Sequence, residues 1–213
     1  MAGPASAGLD AEKKALAASE RDEAARAVWR EAVAHLDPEQ LVFVDESSTH
    51  IALTRLYAWA PHDQRARGSV PRNHGHNITL VAALTPGGLQ EPWMIERAMD
   101  TATFDWYIAG QLGPTLRPGQ IVVLDNLSVH KAARIRQALA ARGCELLFLP
   151  PYSPDFTPIE QAFSKLKAIL RGLGARTREA VEQAVGLAVE AITPADAFAW
   201  FAHAGYALPD QAN

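Results

Sequence analysis

The sequence has a single cysteine, Cys144, among its 213 residues. One cysteine excludes an internal disulfide framework and a zinc site built from cysteine clusters, and we expect Cys144 to be an inert buried thiol. No apolar run approaches the ~18 residues that a membrane span needs, and the N-terminus lacks the basic and apolar blocks of a secretory signal. The sequence also lacks internal repeats. These absences predict a cytoplasmic protein without a membrane partner.

A strong excess of one charge is also missing, since 20 basic residues stand against 24 acidic ones. This balance argues against a histone-like binder held by bulk charge. The charges are nevertheless unevenly distributed. Residues 131–178 carry nine basic and three acidic groups, whereas residues 179–213 carry five acidic groups and no basic one. The basic segment suits either a nucleic-acid surface or ordinary solvated helix faces.

Apolar residues make up 48% of the chain, which is enough for a packed core. Short apolar runs predict buried strands, and looser patterns add two weaker candidates. The strands are predicted at 41–47, 77–84, 121–124 and 145–149, with the weaker ones at 51–59 and 92–96. Helices are predicted at 10–36, 103–116, 131–142, 158–173 and 177–192, and from Thr193-Pro194 onward. This order predicts an α/β fold, a mixed sheet of about five strands flanked by helices.

Two acidic residues directly follow buried strands. Asp45 comes after the run LVFV, and Asp125 comes after IVVL. A carboxylate at the end of a buried strand needs a partner, because removing it from water alone is costly. A divalent metal, a backbone cap and an arginine are all suitable partners. A turn or helix cap is the common role of one such aspartate, and two in one small sheet favour metal binding more than one does.

A third acid, Glu160, lies in the first turn of the helix predicted at 158–173. Ser164, Lys167 and Arg171 share its face, so two cations follow the carboxylate along one side of the helix. That arrangement suits a metal ligand next to a phosphate backbone. The segment also fits a capping box, with Thr157 as the N-cap and Glu160 as the third residue of the helix. Both interpretations stay open at this point.

Three carboxylates from three separate elements are a suitable set for phosphodiester hydrolysis. This reaction requires an activated water and stabilisation of charge on the attacking and leaving oxygens. Two Mg²⁺ ions provide both, and hard cations prefer oxygen ligands. The set needs no cysteine and no histidine cluster.

Three segments together resemble a known family. VFVDES, VLDNLSVH and LPPYSPDFTPIEQAFSKLK are similar to the catalytic domain of the mariner-like DDE transposases of bacterial insertion sequences, the insertion-sequence 630 family. Asp125 and Glu160 are 35 positions apart, the spacing that the resemblance requires. WAPHDQRARGSVPRNHGHNITLVAAL also resembles the family's segment between the first acid and the third strand. The similarity covers roughly 15–206 and implies a fold similar to ribonuclease H.

The resemblance implies roles for single residues. Asp45, Asp125 and Glu160 match the catalytic triad that binds two Mg²⁺ ions, with Mn²⁺ as a possible substitute. Asn126 and His130 match the family's DN…H element. We expect Asn126 to position the site beside Asp125, and His130 is either a supporting residue or a polar residue at a helix start.

Other residues are assigned by their position near this set. Glu46 should point to the opposite face of the sheet from Asp45, and Asp155 lies in the loop before the helix, so neither is expected in the triad. Basic residues of two segments are candidate phosphate contacts. These DNA-contact candidates are Arg65, Arg67, Arg72, His74, Lys167 and Arg171.

The resemblance also implies a domain organisation and partners. We expect an N-terminal helical extension or linker at 1–40, a ribonuclease H-like catalytic domain at 41–206 and a tail at 207–213. The implied activity is Mg²⁺-dependent cleavage at transposon ends and transfer of the freed 3′-OH into target DNA, by a homodimer. An upstream helix-turn-helix product, as a fusion or a partner, would supply end recognition.

Two other functions are alternatives to this activity. A catalytically incomplete transposase could act as an inhibitory subunit of a full-length enzyme. A glycosidase with paired carboxylates would work without metal and would give no role to the basic face.

Overall fold

A computed structural model of the chain describes residues 18–55, 57–126 and 133–206. Five strands form one mixed sheet in the order β3-β2-β1-β4-β5. The strands are β1 (Leu41–Thr49), β2 (Ile78–Thr85), β3 (Gly88–Ile95), β4 (Ile121–Leu124) and β5 (Glu145–Phe148). β1 pairs antiparallel with β2 and parallel with β4, so the central strand joins the two halves of the sheet. The mixed sheet of five strands predicted from the sequence is confirmed.

Six α-helices among the described residues cover the two faces of the sheet. They are α1 (Glu23–Val33), α2 (Thr101–Trp106), α3 (Ala133–Ala140), α4 (Ile159–Leu173), α5 (Arg178–Glu190) and α6 (Pro194–His203). No single one of these helices has both the length and the apolar character to cross a bilayer. α5 and α6 reach that length and character only together, across a bend of 76°.

The sheet separates two hydrophobic cores, and β1 contributes to both. Leu41 and Phe43 belong to the core under α4, α5 and α6, while Val42 and Val44 belong to the core under α2 and α3. Successive side chains of a strand point to opposite faces, so a strand buried on both sides must be apolar at every position. This explains the continuous run LVFV that precedes Asp45.

The N-terminal part of the described chain packs on the first core. α1 begins after Asp22, whose carboxylate accepts hydrogen bonds from the Ala24 and Ala25 amides. Trp29 is buried in the first core, and Val33 and Leu36 pack against it. The helix predicted at 10–36 is therefore observed only from Glu23 to Val33, and its residues up to 17 lie outside the described part. The predicted domain boundary at residue 40 stays a prediction.

The strand predicted at 51–59 is wrong. The backbone of this segment is hydrogen-bonded to side chains instead of to a neighbouring strand. One nitrogen of Arg176, Nη1, donates to the carbonyls of Ile51 and Leu53 at 3.0 and 2.9 Å. The Ala52 amide donates to Nδ1 of His50 at 3.1 Å. Of the apolar residues here, Ile51 and Leu53 pack against the first core, whereas Tyr57 and Trp59 are exposed.

The helix predicted at 103–116 is present but not regular. It is α-helical only to Trp106, continues as a π-helical turn over Tyr107–Leu112, and closes with a short 3₁₀ turn at Gly113–Thr115. Pro114 lacks the amide that would donate to the carbonyl of Gly110 in a continued α-helix. The sequence pattern predicted the buried face, and Pro114 explains why the α-helix does not continue past Gly113. The π-helical turn, in which the Gly113 amide donates to the Ile108 carbonyl, has no signal in that pattern.

The packing of α6 against α4 leads to a prediction about stability. Asp196 completes a capping box with Thr193 and accepts a hydrogen bond from Lys165 at 2.6 Å. The Lys165 contact and the cap lower the pKa of Asp196 to about 2. Asp196→Ala should therefore lower the free energy of unfolding by about 1–2 kcal/mol at neutral pH, measured by urea denaturation.

This effect should depend on pH in a defined direction. A carboxyl whose pKa is lower in the folded state stabilises the protein above pH 4 and loses that contribution as the pH falls towards 2. The difference between wild type and Asp196→Ala should disappear over this range. Glu190→Ala, at the exposed end of α5, is the control and should change the free energy of unfolding little at any pH. If Asp196→Ala lowers the free energy of unfolding as much at pH 2 as at neutral pH, the ionised carboxylate of Asp196 is not the source of the stability.

Candidate active site

The register of the sheet places two predicted site residues side by side. Leu41 pairs with Ile121 and Phe43 with Val123 in parallel orientation. Continuing this register by two residues brings Asp125 opposite Asp45. Paired residues of parallel strands point to the same face, so Asp45 and Asp125 are neighbours where β4 ends. Ligands of open α/β sheets bind at such strand ends. The prediction that Asp45 follows its strand is wrong, because β1 continues to Thr49 through its pairing with β2 and Asp45 lies in its middle.

A cavity of about 480 Å³ opens at this edge of the sheet. Asp45, Asp125 and Glu160 all line it, and Asn126 lines it beside Asp125. The three acids come from β1, from the segment after β4 and from the first turn of α4. Acids far apart in the sequence therefore share one cleft, as the resemblance implied.

The start of α4 determines what Glu160 can do. The helix begins at Ile159 with Pro158 as its N-cap, and no side chain caps it. The capping box predicted with Thr157 as the N-cap is therefore wrong. Thr157 lies one position before the N-cap, and its carbonyl accepts only a long hydrogen bond of 3.4 Å from the Glu160 amide. The Glu160 side chain is exposed at the cavity, and no backbone cap occupies its carboxylate.

Asp45 has the most perturbed acidity in the cavity. Its carboxylate accepts a hydrogen bond from the Glu46 amide at 2.8 Å. Burial nevertheless raises the pKa of Asp45 from 3.8 to about 7, and the negative charges of Glu46, Glu160 and Asp125 add to the rise. A partly buried carboxylate surrounded by other carboxylates is an environment that a bound cation would stabilise.

The donor chemistry of the cavity fits a hard divalent cation, because every candidate ligand is a carboxylate or amide oxygen. Within the described ranges, no three histidine, cysteine, aspartate or glutamate side chains lie close enough together to hold one ion. This finding still fits Mg²⁺, which keeps several waters and is usually bound by one or two carboxylates together with substrate phosphates. Asp45, Asp125 and Glu160 are thus suited to share ions with a phosphodiester.

Glu46 and Asp155, which the sequence argument excluded from the triad, occupy different places. Glu46 contributes to the cavity edge, but the alternation of β1 places its side chain with Val42 and Val44. Burial raises the pKa of Tyr107 in the second core, and the charges of Glu91 and Glu46 add to the rise. Asp155 does not line the cavity. Its carboxylate binds Arg26 with two hydrogen bonds of 2.6 and 3.0 Å.

The predicted DNA contacts lie outside the cavity. Arg65, Arg67, Arg72 and His74 are exposed in the segment between β1 and β2, and the His74 ring lies 5.2 Å from the ring of His50. Lys167 and Arg171 are partly buried on α4. At 1.5 Å per residue they lie roughly 10 and 16 Å along the helix axis from Glu160. The structure brings none of these six into the cleft.

His130 lies outside the described residues.

One wall of the cavity was not predicted from the sequence. Residues 149–157, LPPYSPDFT, are here named the cavity loop, and most of its members line the cavity. Tyr152 lies in this loop with a positive φ of 53°, an uncommon conformation for a tyrosine. The density of prolines is typical of a rigid loop, but the position of the loop beside the acids is visible only in the folded chain.

Comparison with known proteins supports the family-level interpretation. The family described as DDE superfamily endonuclease matches residues 40–182, about two thirds of the chain. No curated protein sequence is significantly similar to this one.

Solved structures are similar in fold. A pre-cleavage Mos1 transpososome matches with a TM-score of 0.70 and 14% identity, over 92% of this chain and 64% of that one. A mariner Mos1 paired end complex with Mg matches with a TM-score of 0.68 and 17% identity, over 94% and 64%. The Mos1 catalytic domain with Raltegravir and Mn matches with a TM-score of 0.64 and 14% identity, over 88% and 91%. The chain therefore spans about 64% of the length of the longer Mos1 chains and has the ribonuclease H-like fold of the catalytic domain.

Proposed function

Because the chain belongs to the DDE superfamily endonuclease family, we propose that it is the catalytic domain of a transposase of the insertion-sequence 630 type. It cleaves phosphodiester bonds at transposon ends and transfers the freed 3′-OH into target DNA. The observation that carries this proposal is the convergence of Asp45, Asp125 and Glu160 on one cavity at the carboxyl edge of the sheet.

The three carboxylates hold two Mg²⁺ ions in this proposal, and Mn²⁺ can replace them. Bound Mg²⁺ would activate a water and stabilise charge on the attacking and leaving oxygens of the phosphodiester. Asp45, in the middle of β1, and Asp125, directly after the neighbouring strand β4, form the side of the site that belongs to the sheet. Glu160 reaches the cavity from α4, and Asn126 orients the backbone beside Asp125. The structures of Mos1 in complexes with Mn and with Mg support the choice of metal.

DNA is the proposed partner, and the segment between β1 and β2 is the proposed contact. Within residues 57–76, Tyr57 is 90% exposed and Trp59 is fully exposed. The arginines at positions 65, 67 and 72 are exposed in the same segment, and Asp63 is its single acid. Two large exposed aromatics followed by three arginines suit the faces of bases and a phosphate backbone. The active form is a homodimer on paired transposon ends, with end recognition supplied by a helix-turn-helix region.

Metal binding by the purified chain tests the proposal directly. Titration with Mn²⁺, followed by electron paramagnetic resonance, should detect binding that Mg²⁺ competes away. The chain fused to an end-binding region should cut DNA that carries the element's ends, and removal of the metal with a chelator should stop the cutting. Full activity in Asp125→Asn, or binding of Mn²⁺ unaffected by this change, would refute the assignment. A metal-independent glycosidase would show neither response.

A further inference from the structure

We infer that Arg26, in the N-terminal helix α1, is a positioning residue of the catalytic site, acting through the cavity loop. This inference rests on the proposed function for its catalytic meaning. It goes beyond that function because Arg26 lies 129 positions from Asp155, does not line the cavity and belongs to a helix that precedes the matched family segment.

The cavity loop is the part of the site that most needs support. Seven of its nine residues line the cavity, and it leads directly into the first turn of α4, which carries Glu160. Its regular structure is limited to one 3₁₀ turn over Pro154–Phe156. A segment of this kind has few backbone hydrogen bonds of its own, so contacts from outside must fix its conformation.

Arg26 supplies such contacts and is completely buried while doing so. Its two terminal nitrogens donate to the two oxygens of Asp155 at 3.0 and 2.6 Å, a bidentate pair. The guanidinium also lies over the Phe156 ring, with its carbon 3.9 Å from the ring centroid. A bidentate pair combined with a stacked ring fixes both the direction and the rotation of the loop, which a lysine could not do.

The other end of the described chain holds the same residue of the loop. The Tyr206 hydroxyl donates to the Phe156 carbonyl at 2.7 Å, and its ring contacts Phe43 on β1. Phe156 is thus held on its ring side by α1 and on its backbone side by the segment after α6. Tyr206 therefore links the loop to the strand that carries Asp45, and we expect this link to fix the position of Glu160 relative to the two aspartates.

The opposite interpretation is that Arg26 only holds α1 on the core. The two interpretations differ in what Arg26→Met should change. Methionine fills most of the buried volume without a charge, and replacing a buried ion pair by an apolar group is often tolerated. A purely structural role predicts a change in stability alone. A positioning role predicts a looser cavity loop and a weaker metal site in a protein that is still folded.

The experiment measures loop opening and metal affinity on the purified chain. Hydrogen–deuterium exchange should accelerate in Arg26→Met at the Phe156 and Thr157 amides, which are bonded within the loop to Ser153 and Pro154. The dissociation constant for Mn²⁺ should rise about tenfold, the usual effect of losing a residue that orients metal ligands. Arg26→Lys should recover part of both effects, because an ammonium reaches one oxygen of Asp155. Tyr206→Phe should shift both readouts in the same direction by less.

Lys165→Met is the matched control. It breaks an ion pair with the same 2.6 Å distance, on the helix that carries Glu160, but away from the cavity loop. It should lower stability and leave loop exchange and Mn²⁺ affinity unchanged. The inference is overturned if Arg26→Met leaves both readouts at wild-type values, or if Lys165→Met changes them as much. If wild type binds no Mn²⁺, the proposed function fails, and loop exchange alone still decides whether Arg26 holds the loop.

Discussion

Asp45→Asn should remove activity and at the same time make the folded protein more stable above pH 7. Cleavage should fall by at least about 10²-fold, the range that removal of one preorganised electrostatic group costs. Asparagine keeps the oxygen that accepts the 2.8 Å hydrogen bond from the Glu46 amide, so local structure should survive. The substitution removes the negative charge of Asp45, which is partly buried and lies near the negative charges of Glu46, Glu160 and Asp125.

The direction of the pH effect follows from the raised pKa. Burial raises the pKa of Asp45 to about 7, so the folded protein holds this proton where the unfolded chain has released it. Ionised Asp45 therefore costs stability that is absent below pH 4, grows as the pH rises and is complete above pH 7. Allowing for partial exposure, we expect roughly 1–3 kcal/mol and a rise in Tm of about 3–8 °C for the variant at pH 8.

Thermal unfolding of metal-free wild type and variant across pH 3–8 measures this effect. The two melting temperatures should coincide near pH 3 and separate as the pH rises. Added Mn²⁺ should raise the Tm of wild type and leave the variant unchanged, because the ion binds only the intact site. A variant that is no more stable than wild type at pH 8 would contradict the electrostatic account of the cavity.

Phe201→Ala, in the first core, should cause a large loss of stability. The Phe201 ring is completely buried and meets the Phe43 ring edge to face, with the centroids 5.4 Å apart. It also contacts the ring of Tyr206, at 6.0 Å. Deleting a buried phenylalanine removes apolar surface and leaves a cavity, which typically costs about 3–5 kcal/mol. For a domain of ordinary stability that is a large fraction of the total.

Urea denaturation of Phe201→Ala measures the loss. Phe198→Ala is the control, since this phenylalanine is on the same helix but only partly buried and outside both cores. Its cost should be clearly smaller. Equal losses for the two variants would mean that α6 contributes by helix stability and not through the aromatic contact with β1.

Local patterns predicted the parts of the fold that local chemistry determines. The runs before Asp45 and Asp125 are apolar at every position because those strands are buried on both faces, and that signal is visible in the sequence. The strand at 51–59 was predicted wrongly because its backbone partner is the side chain of Arg176, far along the chain. The Thr157 capping box was wrong because α4 starts after Pro158.

The site itself was only partly accessible from the sequence. The three acids could be chosen by spacing and resemblance, and their roles as metal ligands stay a prediction. The local sequence around Arg26 and around Asp155 does not indicate that the two side chains meet, because an arginine on a polar helix usually faces solvent. A charged residue that is buried by a distant loop becomes visible only in three dimensions.

The central position of β1 has a mechanical consequence. The strand that carries Asp45 is hydrogen-bonded to β2 on one side and to β4 on the other. Glu160, in contrast, follows the cavity loop, which is held mainly by side-chain contacts. One half of the site is therefore fixed by the backbone hydrogen bonds of the sheet, and the other half by side chains that pack α4 and hold the cavity loop. A side-chain substitution can thus change the surroundings of Glu160 and leave the pairing of β1 intact.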